Sequence, residues 1–218
     1  GHDPTLTTAD VVSKVIKPLT RDRRERFVDH PSVPRDQVRR TDGFVSHCWR
    51  GRWQDLVAAI CHVLDDDACV WVDVFTVRQW PGNGADVSFA PVIRDARFVL
   101  LCAMHLPDVA AMDPLAIAMG QITTLPDTAY TCCAFLRIWC LAELQAALQY
   151  HKPVLMLVGK ATGQSDNEFT PMTNMLMPLE MIIDVSKAKA SIDEDRVRIL
   201  RDVEQTVGIE DMNSLARG

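Results

Sequence analysis

The chemistry in this chain starts from one carboxylate. In the stretch Arg137-Ile138-Trp139-Cys140-Leu141-Ala142-Glu143-Leu144, helical spacing puts Trp139, Glu143 and Ala147 on one face, extended by Tyr150. Leu141, Leu144 and Leu148 line a separate apolar face suited to a sheet. No Lys or Arg stands three or four residues from Glu143 to pair with it. An unpaired carboxylate against an aromatic wall can stabilise a developing oxocarbenium ion, as glycosidase carboxylates do.

Other polar and aromatic residues are candidates to surround it. Asp73 interrupts the apolar run Cys69-Val70-Trp71-Val72-Asp73-Val74-Phe75, as either a cap for the next turn or a site residue. Trp80 sits in Trp80-Pro81-Gly82-Asn83-Gly84, where stacking on a planar ligand or a partner would explain a large aromatic on a loop. Gly82-Asn83-Gly84 lacks the Lys-Ser or Lys-Thr of a phosphate loop. His47-Cys48 and Cys132-Cys133 with Cys140 have no zinc spacing, so no metal is expected, and Cys140 reads as core rather than as a nucleophile.

Positioning these residues requires a sheet. Gly43 to Ser46, Cys69 to Phe75, Phe98 to Ala103 and Pro153 to Val158 read as strands, with Met181 to Val185 as a possible last one. Helices are predicted over 53–64, 88–96, 138–150 and 195–207, and Gly159 to Thr170 as polar loop. Residues 105–135, broken by Pro107, Pro114 and Pro126, read as an insertion with one short helix near Leu115 to Met119. Continuously apolar strands alternating with helices predict an α/β fold, a flavodoxin-like open parallel sheet with helices on both faces. Ligands in such sheets bind beyond the carboxyl ends of the strands, where Ser46-His47-Cys48-Trp49-Arg50 and Asp73 to Gly84 fall.

Ahead of the sheet, residues 1–41 read as a weak helix, capped near Thr8-Ala9-Asp10 and stopped by Pro18, then a basic linker. The run Arg21 to Arg26 suits a solvated connector, or a phosphate- or partner-binding arm. The rest, 42–218, reads as the α/β domain. The chain opens Gly1-His2-Asp3 without Met, so we expect one part of a larger multidomain chain.

Composition excludes several classes. Of 218 residues, 48% are hydrophobic and 24% charged, as in globular proteins with a substantial core. A net charge of −6 argues against a nucleic-acid binder, whose affinity comes from Lys and Arg on phosphates. No apolar run is long enough for a membrane span. Seven cysteines, an odd number set mostly in apolar runs, suggest reduced thiols and a cytoplasmic protein.

Three stretches together resemble the Toll/interleukin-1 receptor (TIR) domain family. Asp42-Gly43-Phe44-Val45-Ser46-His47 resembles its first box, and Trp71-Val72-Asp73 its second strand with the start of a long loop. Arg137 to Leu144 is similar to the Trp-Cys-Leu-x-Glu-Leu motif of plant-type members. The likeness spans about residues 42–158, in a divergent branch where Cys48 and Trp49 partly replace the usual basic residues and the 105–135 insertion is long.

The resemblance implies cleavage of the nicotinamide–ribose bond of NAD or NADP in intracellular signalling or defence, with Glu143 catalytic. It implies polar contacts from Ser46, His47 and Asp73, base stacking by Trp49 and Trp80, an aromatic wall at Trp139, and Arg50 on the pyrophosphate. No cofactor beyond the substrate is implied, and self-association through TIR surfaces is. The alternatives are a non-catalytic adaptor acting through the 76–87 loop, or a nucleotide-binding sensor.

Overall fold

Short runs of Val, Leu, Ile and Cys build the sheet. In the computed structural model, residues 3, 5–84, 86–163 and 168–217 are described. Strands β1 (Gly43–His47), β2 (Val70–Trp71), β3 (Phe98–Met104), β4 (Val154–Ala161) and β5 (Phe169–Pro171) form one sheet in the order β2-β1-β3-β4-β5. The first four are parallel, and β5 runs antiparallel to β4. This is the flavodoxin-like open sheet, with the 2-1-3-4-5 order of doubly wound folds.

Side-chain alternation along the strands explains the two covered faces. Val45, Leu100 and Cys102 point to one side and pack with Val12, Leu56 and Ala59. On the other side, Phe44 and Val99 meet Ile93, Ala146 and Ala147. Leu101 and Ala103 join Leu141, Leu144, Ile199 and Val203 there. The helices Trp53–Val63 and Ile138–Gln149 therefore lie on opposite faces, backed by Ala90–Asp95 and Asp193–Thr206 on the second.

Several elements differ from expectation, each for a local reason. β2 ends at Trp71, and Asp73–Thr76 turns into one helical turn, so Asp73 opens a helix instead of closing a strand. In the 105–135 segment the helices Pro107–Ala110, Pro114–Ala118 and Asp127–Cys132 form, the first two opening on a proline and the third directly after Pro126. Proline lacks the N–H that a helix start leaves unbonded, so these residues initiate helices here rather than only break them. Met181 to Val185 is no strand: the helix Leu176–Ile182 runs into it, burying Leu179 and Ile183 at helical spacing. β5, within the expected 159–170 loop, takes the place beside β4; residues 164–167 of that loop lie outside the described residues.

The N-terminal helix begins at Thr8–Val11 and passes Pro18 by widening to π geometry over Val12–Ile16 before Lys17–Leu19. The wider turn accommodates a proline ring that would clash with the carbonyl four residues back. Its buried Val11, Val12 and Ile16 dock it on the domain. At the other end, Gly208 with φ +91° lets the chain turn from Asp193–Thr206 into a further helix, Ile209–Arg217.

Candidate functional site

The carboxyl ends of β1 and β2 and the first turns of the helix Ile138–Gln149 enclose a cavity of about 360 Å³. That size suits a small-molecule ligand. Its walls include His47, Trp49, Asp73, Gln79, Phe89, Arg137, Trp139 and Glu143. All three stretches singled out in the sequence meet here.

Glu143 is 7% exposed. The hydroxyl of Ser46, near the carboxyl end of β1, donates to Glu143 Oε2 at 2.5 Å. Ser46 shares a strand face with Phe44, which packs under the same helix, so β1's alternation aims it at Glu143. Burial pushes the Glu143 carboxyl well above its ordinary range, the Ser46 hydrogen bond opposes this, and the Asp73 charge adds to it.

Asp73 is held by Trp49, whose indole Nε1 donates to Oδ2 at 2.7 Å. Its Oδ1 is buried without a hydrogen bond, 3.8 Å from His47 Nε2. Neither His47 ring nitrogen has a hydrogen bond of good geometry among the described residues, and burial lowers the imidazole's basicity more than the neighbouring Asp73 restores it. The neutral ring also borders a small inner cavity of about 20 Å³ with Thr8, where there is room for one water.

Behind the wall residues Phe89 and Trp139, a row of aromatic contacts runs into the core. Phe44 stacks on Trp71 at 4.7 Å, Trp71 meets Phe89 at 5.4 Å, and Phe89 meets Trp139 at 5.9 Å. Phe89 precedes the helix Ala90–Asp95 and carried no motif signal, and only the fold brings it in.

Ser46, His47, Trp49, Asp73, Trp139 and Glu143 thus come together, and Arg50 and Trp80 do not join them. Arg50 is exposed and does not line the cavity, so the basic side chain on the wall is instead Arg137, the residue before the site helix. Arg137 opens the Trp139–Glu143 stretch but was not legible there as a site residue, and neither was Gln79. Trp80 turns to the N-terminal helix. Its Nε1 donates to Thr20 Oγ1 at 3.1 Å, with Lys17 and Arg24 at 5.9 and 5.7 Å from its ring. Trp80 therefore anchors its loop and is not a stacking platform for the cavity.

Cys140 bonds through Sγ to the His47 carbonyl at 3.5 Å, and burial raises its thiol far above the ordinary value. Its thiol is thereby held in the protonated, unreactive form that suits packing. Cys102 and Cys133, also buried, are pushed up to about 12. Among the described residues no group of three or more His, Cys, Asp and Glu side chains could hold a metal ion, and no helix is long and apolar enough to cross a membrane.

Comparison of the chain with protein-family models, with curated proteins and with solved structures finds no match.

Proposed function

We propose that this chain is a TIR-like NAD(P) glycohydrolase domain that cleaves the nicotinamide–ribose bond. The observation that carries the proposal is the buried Glu143, bonded to Ser46 at the base of a cavity walled by Trp49, Phe89 and Trp139. The family resemblance of the converging stretches supports it.

The pyridinium of NAD brings positive charge next to Glu143 and favours the ionised carboxylate. As the C1′–N bond breaks, its electron pair moves to the ring nitrogen and nicotinamide leaves neutral. The positive charge passes to the ribose, where Glu143 stabilises it without moving. Water adds to C1′ and releases a proton, giving ADP-ribose; attack by an adenine nitrogen would give a cyclic product. The unbonded Asp73 Oδ1 is an acceptor for a ligand hydroxyl, and Trp49 and Trp139 offer aromatic faces to the bases.

The test is nicotinamide release from NAD and NADP at several protein concentrations, with Glu143→Ala alongside. We expect turnover that rises faster than protein concentration, as self-association would require, and is lost in the variant. Equal rates for both proteins would sink the proposal. Binding without turnover would identify a sensor, and neither binding nor turnover an adaptor.

A further inference from the structure

The free edges of the sheet are not alike. β2 and β5 are two and three residues long, and short edge strands are one way sheets avoid pairing with other chains. β4 has eight residues, and β5 pairs only with Gly159, Lys160 and Ala161, so the first half of β4 is an edge as well. There Leu155 is 44% and Met156 39% exposed, on opposite faces of the strand. The run Pro153-Val154-Leu155-Met156-Leu157 carries no charge, and Lys152 and Lys160 flank it without interrupting it.

Strand alternation shows which backbone groups are open. The Val99 N–H donates to the Pro153 carbonyl at 2.9 Å, so residues 153, 155 and 157 direct their backbone groups to β3. Val154 and Met156 direct theirs outward, in line with Val158, whose carbonyl accepts from the Met172 N–H at 2.9 Å. No described residue bonds the backbone N–H or C=O of Val154 or Met156 on that side. Two donors and two acceptors therefore stand open on an apolar edge.

We propose that this edge is a homotypic docking surface, on which β4 of a second copy pairs antiparallel about Leu155 and joins two sheets into one. The edge fits itself. Under a two-fold axis beside Leu155, Val154 stands opposite the partner's Met156, and each such pair exchanges both of its N–H···O bonds. All the open groups are then satisfied. Leu155 meets the partner's Leu155 in the intervening pair, where Cα atoms stand about 4.5 Å apart and side chains touch. On the opposite face Met156 lies beside the partner's Val154. A register one residue off would set outward groups against inward ones, and sliding toward Val158 would run into Met172.

The cavities, at the carboxyl ends of β1 and β2, would open at opposite ends of the joined sheet. Neither protomer then reaches into the other's site, and the pairing does not depend on the glycohydrolase reading.

Five residues of edge bury less than the roughly 1,600 Å² of a standard interface, so we expect a reversible dimer with a Kd on the order of 10 μM. Sedimentation velocity at protein concentrations that bracket this value should show monomer passing to dimer. Met156→Pro removes an N–H that no strand of the same chain uses, and Leu155→Lys sets like charges face to face. Each should weaken association by more than about tenfold, the worth of a lost hydrogen-bonded pair. Thermal melts of both variants check folding.

Leu155→Cys gives a second readout. Opposed Cα atoms about 4.5 Å apart are within disulfide reach, so oxidised glutathione should turn the dimer covalent. Leu115→Cys, on the helix Pro114–Ala118 at a position 64% exposed, should cross-link no more than wild type.

A wild type that stays monomeric overturns the proposal and leaves the edge to an extended segment of another protein. A dimer that survives both Met156→Pro and Leu155→Lys also overturns it, moving self-association to another surface such as the 76–87 loop. Equal cross-linking of Leu115→Cys and Leu155→Cys would do the same.

Discussion

Ser46 and Glu143 are 97 residues apart in sequence and joined by a 2.5 Å hydrogen bond in the structure. One lies in the first strand and the other on the helix that covers it. Their contact ties the carboxyl end of β1 to the cavity and gives a buried carboxylate a single side-chain donor among the described residues. One donor does not offset the loss of hydration, so Glu143 holds its proton above the ordinary carboxylate range.

This has a consequence for stability. Glu143 titrates near 4.5 when unfolded and higher when folded. Below 4.5 both states are protonated and nothing is lost. As pH rises above it, the unfolded chain gives up the proton first, and stability falls until the folded carboxyl ionises too. Glu143→Gln removes that penalty. The variant should match wild type near pH 4 and melt higher near pH 8, by about 2–4 °C for each kcal/mol recovered. Thermal melts across this range check it, and a variant less stable at pH 8 would contradict it.

Ser46→Ala removes the one interaction that favours the ionised Glu143. Its carboxyl should rise further, so the acid limb of kcat/KM for nicotinamide release should move to higher pH. Loss of the bond should also destabilise the fold by about 1–3 kcal/mol. A pH–rate profile and a urea melt test both parts, and an unmoved acid limb would show that another group controls it.

Trp80→Ala should loosen the loop and the N-terminal helix, while removing no side chain from the cavity wall. Losing the Thr20 bond and the two cation contacts should cost about 1–2 kcal/mol of local stability. Hydrogen exchange should quicken in residues 8–20 and 77–84, and any rise in KM for NAD should follow that loosening of the loop rather than occur without it. A large rise in KM with exchange unchanged would return Trp80 to the substrate site.

Gly159→Ala tests the seam between β4 and β5. A Cβ there would stand 2.4 Å from the Thr170 carbonyl oxygen and 2.4 Å from the Phe169 ring. The oxygen belongs to the backbone and cannot swing aside. We expect a loss of about 1–3 kcal/mol in a chemical melt, typical of overpacking. Unaltered stability would mean that the seam is not closely packed.

Much of this was legible in the sequence because it depends on local periodicity. The continuously apolar run Phe98 to Ala103, rich in β-formers, reads as a buried strand, and the face shared by Trp139 and Glu143 follows from helical geometry. Prolines misled, because a breaker inside a helix and a starter at its first turn are the same residue. The Met181 to Val185 run misled because a short apolar segment fits strand and helix alike, and its choice is made by the neighbours it packs against. Trp80 misled because its partner, Thr20, is 60 residues away.

The sequence by itself determined the α/β alternation, the strand-end position of the polar stretches and the isolation of Glu143 from any basic neighbour on its helix. The tertiary structure decided which groups meet. It put Ser46 under Glu143, Trp49 on Asp73, Phe89 in the wall and Arg137 rather than Arg50 in the cavity. Strand and helix formation follow from spacing within a few residues. A site depends on strand order and side-chain direction, which are set only when distant segments bury one another's apolar faces.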